Sequence, residues 1–227
     1  MGECSIVELR QYTLHPGQRD VLIELFEREF LEPQELAGMT LLGQFRVQDD
    51  ADRFVWLRGF ADMRSRAAAL ASFYGGPIWA AHRAAANATM IDSDNVLLLR
   101  PAAAGSGFQI TRFEPFPSGA AVSAGSTYVA GIRHLEESAS RDDFAHVERT
   151  GAIAAANAGG SAVAWFVSER SPNNYPALPV REDANVIVSF ASFPNVVQAD
   201  EYANDLRLLN GSTEVLRLTP TPRSRLR

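Results

Sequence analysis

Apolar and polar residues alternate from Ser5 to Tyr12, with Val7 and Leu9 on one side and Glu8, Arg10 and Tyr12 on the other. That period of two predicts a strand. After Pro16-Gly17 the period lengthens: Leu22, Phe26 and Phe30 share one face while Glu24, Glu27, Arg28 and Glu32 take the other. This predicts a helix to about Glu32, with proline tolerated in its first turn because the missing donor is not needed there. Met39 to Val47 and Arg53 to Phe60 read as two further strands around a polar connection at 48–52. A second helical stretch, from about Asp62 to Met90, breaks at Gly75-Gly76 and can restart at Pro77. Asn95 to Arg100 closes the set as a short apolar strand, giving the order β-α-β-β-α-β.

The order then repeats. Between the two sets, 101–125 is rich in Ala, Gly, Ser and Pro and reads as a linker, although Phe108, Ile110, Phe113 and Phe116 imply that part of it packs. Ser126 to Leu135, Ser161 to Ser168, Ala184 to Phe193 and Thr213 to Leu218 are strand-like. One helix follows the capping pattern at Ser140 and runs to about Ala158. Another spans Asn195 to Asn210, with Tyr202, Leu206 and Leu209 on one face and Gly211 as its stop. The fold class expected is α+β: two tandem ferredoxin-like β-α-β-β-α-β halves forming an intrachain α+β barrel. The corresponding divisions are a half-barrel at 1–100, a linker at 101–125, a second half-barrel at 126–220 and a basic tail at 221–227. Arg223, Arg225 and Arg227 in that tail read as a frayed terminus.

Composition narrows the function classes. A formal net charge of -6 disfavours nucleic acid as the main partner. No run approaches the ~20 apolar residues of a membrane span, and Glu3, Glu8 and Arg10 interrupt any signal-like start. With Cys4 as the single cysteine there is no intrachain disulfide, and a cytoplasmic location is the expectation. His15, His82, His134 and His146 show no metal-ligand spacing, so no metal is expected. Gly105-Ser-Gly107 lacks the third glycine of a dinucleotide loop, and the chain has no lysine for a Schiff base or a phosphate clamp. No cofactor is expected.

Four segments of the first half resemble the NIPSNAP family within the dimeric α+β barrel superfamily. They are Glu8-Leu-Arg-Gln-Tyr-Thr-Leu-His-Pro-Gly17, Trp56-Leu-Arg-Gly-Phe60, Asp62-Met-Arg-Ser-Arg-Ala-Ala-Ala-Leu70 and Gly76-Pro-Ile-Trp79. The resemblance implies a barrel of two four-stranded sheets, here supplied by one chain as a pseudo-dimer, with homo-oligomers also open. It implies little chemistry, although cofactor-free monooxygenases occur in the wider superfamily.

The alternation leaves two sets of strand residues. Val7, Leu9, Leu41, Gly43, Phe45, Val55 and Leu57 suit the helix side. Their alternates Glu8, Arg10, Tyr12, Leu42, Gln44, Arg46, Trp56, Arg58 and Phe60 are then expected to line the barrel. In the second half Ala130, Ile132 and His134, with Ile187, Ser189, Ala191 and Phe193, are expected to face them as a nearly apolar wall. Three arginines, one carboxylate and three aromatics would suit a small anionic molecule held in the cavity. The same residues also read as a structural ion-pair network. Two functions follow: a small-molecule binder or cofactor-free enzyme, and a non-enzymatic interaction module with a filled barrel.

Overall fold

The computed structural model describes residues 4–109, 116–117, 126–136, 141–209 and 213–227, apart from the side chains of Arg141, Asp143 and Leu209. Ser140 as a cap, Gly211 as a stop and the packing of Ile110 and Phe113 lie outside the described residues. The first half contains β1 (Ile6–Leu14), α1 (Arg19–Leu25), α2 (Leu31–Leu36), β2 (Thr40–Val47), β3 (Arg53–Phe60), α3 (Met63–Tyr74), α4 (Pro77–Asn87) and β4 (Met90–Pro101). The second contains β5 (Thr127–His134), α5 (Arg141–Asn157), β6 (Ser161–Ser168), β7 (Val186–Phe193), α6 (Val196–Leu209) and β8 (Thr213–Pro220). A π-helical turn at Phe26–Phe30 joins α1 to α2, so the first helix runs past Glu32. β4 begins at Met90 rather than Asn95, because its polar, largely exposed start pairs with the end of β1. Asp62 caps α3 by accepting from the Ser65 amide at 2.6 Å, and Asn195 caps α6 by accepting from Gln198 at 3.1 Å.

The eight strands close into one antiparallel barrel in the order β1-β3-β2-β8-β5-β7-β6-β4. Each half contributes four neighbours with the same internal topology, β4-β1-β3-β2 and β6-β7-β5-β8. The two seams are equivalent as well. β2 meets β8 through Phe45, Arg46 and Val47, and β4 meets β6 through Leu99, Arg100 and Pro101. An edge strand of each half therefore completes the other half's sheet, which removes the open edges a lone four-stranded sheet would expose.

Side-chain direction reverses the expected assignment of faces. Val7, Leu9, Phe45, Val55, Leu57, Leu97 and Leu99 of the first half form one buried cluster with Tyr128, Ala130, Ile132, Phe166, Val188, Phe190, Leu216 and Leu218 of the second. Strands of opposite halves can share a cluster of this kind only inside the barrel. The interior is thus apolar and filled by side chains, as eight strands allow. Phe108 of the connecting segment belongs to the same cluster, with its ring 5.0 Å from Phe190, and Cys4 and Leu226 pack against it. A bulge between Leu41 and Gly43 makes two exceptions, leaving Leu41 on the helix side and Leu42 in the interior, as expected for that pair.

The tail is docked rather than frayed. The Thr221 amide donates to the Gln44 carbonyl at 2.9 Å, and Ser224 Oγ accepts from the Gln44 amide at 3.1 Å, so residues after β8 continue along β2. Arg223 is buried, donates from Nε to the Phe116 carbonyl at 2.6 Å and also reaches Glu32 and the Glu27 carbonyl. Arg225 binds Glu35 at 2.6 Å. The sequence shows the tail arginines but not that Glu27, Glu32 and Glu35 of the α1–α2 region receive Arg223 and Arg225. Arg223→Ala is expected to cost about 1.5–3 kcal/mol, the range for hydrogen bonds to charged groups, as read from urea denaturation midpoints. An unchanged midpoint would mean that the tail is held without help from the Arg223 side chain.

Candidate functional site

Glu8 lies at the centre of a buried polar cluster between the first sheet and its helices. Its Oε2 accepts from Arg10 Nη1 and Arg58 Nε, both at 2.8 Å, and its Oε1 accepts from Arg66 Nε at 2.7 Å. Arg58 Nη2 also stands 2.7 Å from Oε2, a charge contact without hydrogen-bond alignment. Neutral groups serve several of the remaining donors. Arg10 Nε donates to Tyr12 Oη at 3.0 Å, and Arg58 Nη1 donates to Gln34 and Tyr74 at 3.2 and 3.3 Å. Arg66 Nη1 donates to Asn173 and Asn174 at 3.1 and 2.8 Å. The rings of Trp56, Phe60 and Tyr74 stand 5.1–5.8 Å from the Arg58 guanidinium carbon, within range of cation–π attraction.

Burial by itself would raise the Glu8 carboxyl, but the guanidiniums of Arg58, Arg10 and Arg66 more than offset it and hold the group well below the usual carboxylate range. Burial also pushes the Tyr12 hydroxyl up, keeping it protonated as the acceptor for Arg10. With one carboxylate and three guanidiniums, all at most 1% exposed, the cluster carries two positive charges in excess.

Of the residues expected in the barrel, Glu8, Arg10, Tyr12, Trp56, Arg58 and Phe60 do share one face, but it is the helix face. Only there can Gln34, Arg66 and Tyr74 from helices complete their bonds. Gln44 is buried opposite Trp56, with its side-chain Nε2 and Oε1 making no hydrogen bond among the described residues. Arg46 departs from the group and reaches outward to Asp20 on α1 at 2.8 Å. The second-half wall is also regrouped. Ala130, Ile132 and His134 pair with Phe190, Val188 and Val186, which puts them on the barrel side, while Ile187, Ser189, Ala191 and Phe193 turn to the helices. His134 lies half-buried at the end of β5, away from the Glu8 cluster.

Sequence reading missed Arg66, although a signal was there. It falls in phase with Ala69, Leu70 and Phe73, the buried stripe of α3, where a charge needs a buried partner.

In the second half the equivalent layer holds open space. A cavity of about 140 Å³ lies between the sheet and helices α5 and α6. Trp165, Ile187 and Leu206 give it apolar walls, and Arg133, His146, Thr150 and Ser189 supply polar groups. Gly151 in α5 keeps the helix close to Trp165: a Cβ there would meet the indole at 2.5 Å. Tyr202 lies nearby on α6, its hydroxyl pushed up to about 12 by burial, with a hydrogen bond to Ser189 acting against the shift. Among the described residues no group of His, Cys, Asp or Glu could hold a metal, and no helix is long and apolar enough to cross a membrane.

An eight-stranded antiparallel barrel of two ferredoxin-like halves, with its polar chemistry in the sheet–helix layers, places the molecule among α+β barrels. Residues 7–105 match the NIPSNAP family model, so the first half of the chain is NIPSNAP-like, as its four motifs imply. Over its whole length the fold is similar to a "putative monooxygenase" from Fusobacterium nucleatum, with a TM-score of 0.56 at 9% identity, covering 97% of this chain and 94% of that one. A second such protein, from Lactobacillus acidophilus, gives a TM-score of 0.55 at 13% identity and covers 98% of both chains. At these identities the likeness is one of fold. An uncharacterised NIPSNAP domain protein from Burkholderia xenovorans aligns with 43% of this chain and 95% of its own, at 23% identity and a TM-score of 0.39. No curated protein matches the chain.

Proposed function

We propose that the protein binds a small organic molecule in the cavity between the second sheet and helices α5 and α6. The observation that carries this reading is the contrast between the halves. Aromatic rings and the Glu8 network occupy the sheet–helix layer of the first, whereas the second leaves about 140 Å³ in its own. That volume is below the ~300–1,000 Å³ of sites for drug-sized ligands, so the ligand is compact. Trp165, Ile187 and Leu206 suit an apolar body, and Arg133 offers its guanidinium fork to a carboxylate or another anionic end. A small aromatic or branched aliphatic carboxylate has both features. One chain closes the barrel and supplies every lining group, so the reading needs no second copy.

The monooxygenase description attached to the two full-length structural neighbours adds an assay rather than an argument, since they share fold alone with this chain. Oxygen consumption is worth measuring once a ligand is found. The rival reading, a non-enzymatic interaction module, is favoured by the filled barrel interior.

Calorimetric titration with a panel of small aromatic and aliphatic carboxylates separates the two. Arg133→Met is expected to weaken binding by roughly ten- to a hundredfold, the loss of one charge-assisted hydrogen bond. Ala154→Leu, which projects into the cavity, should abolish binding while leaving the melting temperature unchanged or higher. If no carboxylate binds the parent, or Ala154→Leu binds as the parent does, the cavity is not the site and the interaction module becomes the better reading.

A further inference from the structure

We infer that Arg66 anchors a second, gated site in the first half, which takes a small oxyanion such as a carboxylate or inorganic phosphate. The charge balance gives the first reason. Three guanidiniums around a single carboxylate leave two positive charges buried without a counter-ion among the described residues, an arrangement proteins rarely keep unless something negative completes it.

The geometry of Arg66 gives the second. Nε is committed to Glu8, whereas Nη1 is met only by the amide oxygens of Asn173 and Asn174, and Nη2 finds no acceptor among the described residues. The arginine is fully buried, yet Asn174 above it is exposed and Asn173 half-exposed. One layer of neutral acceptors therefore separates a charged donor pair from solvent. Two amide oxygens occupy the place where the oxygens of an anion would sit, and a charged acceptor makes hydrogen bonds roughly twice as strong as a neutral one.

The covering asparagines take part in no strand pairing, so displacing them leaves the barrel ladder intact. Asn173 and Asn174 belong to the irregular stretch between β6 and β7, which crosses from the second half to lie over α3. Its bond to that helix is from Asn174 Nδ2 to the Met63 carbonyl, and its remaining contacts with the first half include the packing of the Tyr175 ring, tilted at 32°, against Tyr74 and of Leu178 and Val180 against the helix-side core. Displacing the asparagine pair exposes Arg66 Nη1 and Nη2 side by side, the fork that oxyanions bind.

The test uses the double variant Asn173→Ala/Asn174→Ala, titrated calorimetrically with acetate and, separately, inorganic phosphate, ionic strength being held constant with chloride. At least one probe is expected to bind tenfold or more tightly to the double variant than to the parent, and the preferred probe distinguishes a carboxylate site from a phosphate site. Adding Arg66→Gln should remove the gain. Should that triple variant not fold, Asn173→Ala and Asn174→Ala singly decide, each giving a smaller gain of the same sign. A double variant that melts earlier yet binds neither probe more tightly overturns the proposal, as does a triple variant that binds like the double. None of these changes touches the α5–α6 cavity, so the outcome is independent of the function proposed for it.

Discussion

Glu8→Gln is expected to destabilise the protein by about 3–5 kcal/mol, because it removes the carboxylate that pairs with three buried guanidiniums. For a chain of this size that corresponds to a fall of about 6–20 °C in melting temperature. Arg10→Met should cost much less, since it leaves Glu8 paired with Arg58 and Arg66 and reduces the positive excess. The order of the two effects is therefore the test: equal losses would mean that packing, rather than charge, holds the layer together. The acid limb of the stability curve gives a second check. The folded carboxyl lies well below its ordinary value of 4.5, so at pH below 4.5 the unfolded chain takes up a proton that the folded chain refuses. Stability from Glu8 is thus present above that pH and is lost as the pH falls toward the folded value. In Glu8→Gln the acid slope should be shallower by up to one proton, measurable from urea midpoints between neutral and acid pH.

Phe190→Ala should have a comparable effect from inside the barrel. Phe190 is fully buried, with the rings of Phe108 and Phe166 5.0 and 6.3 Å away, and its cluster draws on both halves. Truncating a buried phenylalanine costs about 3–5 kcal/mol through lost transfer energy and the void left behind. Because that void would border strands of both sheets, calorimetry should show one transition moved to lower temperature for the whole chain. Two separate transitions, or a variant as stable as the parent, would mean that the halves hold together through their seams and not through the shared interior.

How much of this was legible in the sequence differs from one feature to the next. Element order was, because each element carries its own period: two along Val7, Glu8, Leu9 and Arg10, and close to four along Leu22, Phe26 and Phe30. Alternation also sorted Glu8, Arg10, Trp56 and Arg58 onto one face, as the structure has them. The end of the first helix and the start of β4 were less legible, since a π-helical turn continues the one and a polar edge pairing extends the other. The α5–α6 cavity left no local mark, as its lining comes from two helices and several strands.

What alternation could not say is which layer each face meets. A period of two divides a strand into two sets and is silent about what lies opposite them. That was decided by closure. Eight strands enclose a narrow interior in which a guanidinium would be surrounded by aliphatic and aromatic side chains, while the helix layer brings Gln34, Arg66 and Tyr74 from the same half and Asn173 and Asn174 from the other. The sequence by itself thus determined the order of the elements and, away from the β2 bulge, the alternation along each strand. Tertiary structure alone determined that the charged face turns outward to the helices, because a buried charge goes where its hydrogen-bond partners are, and those partners lie 16 to 108 residues away along the chain.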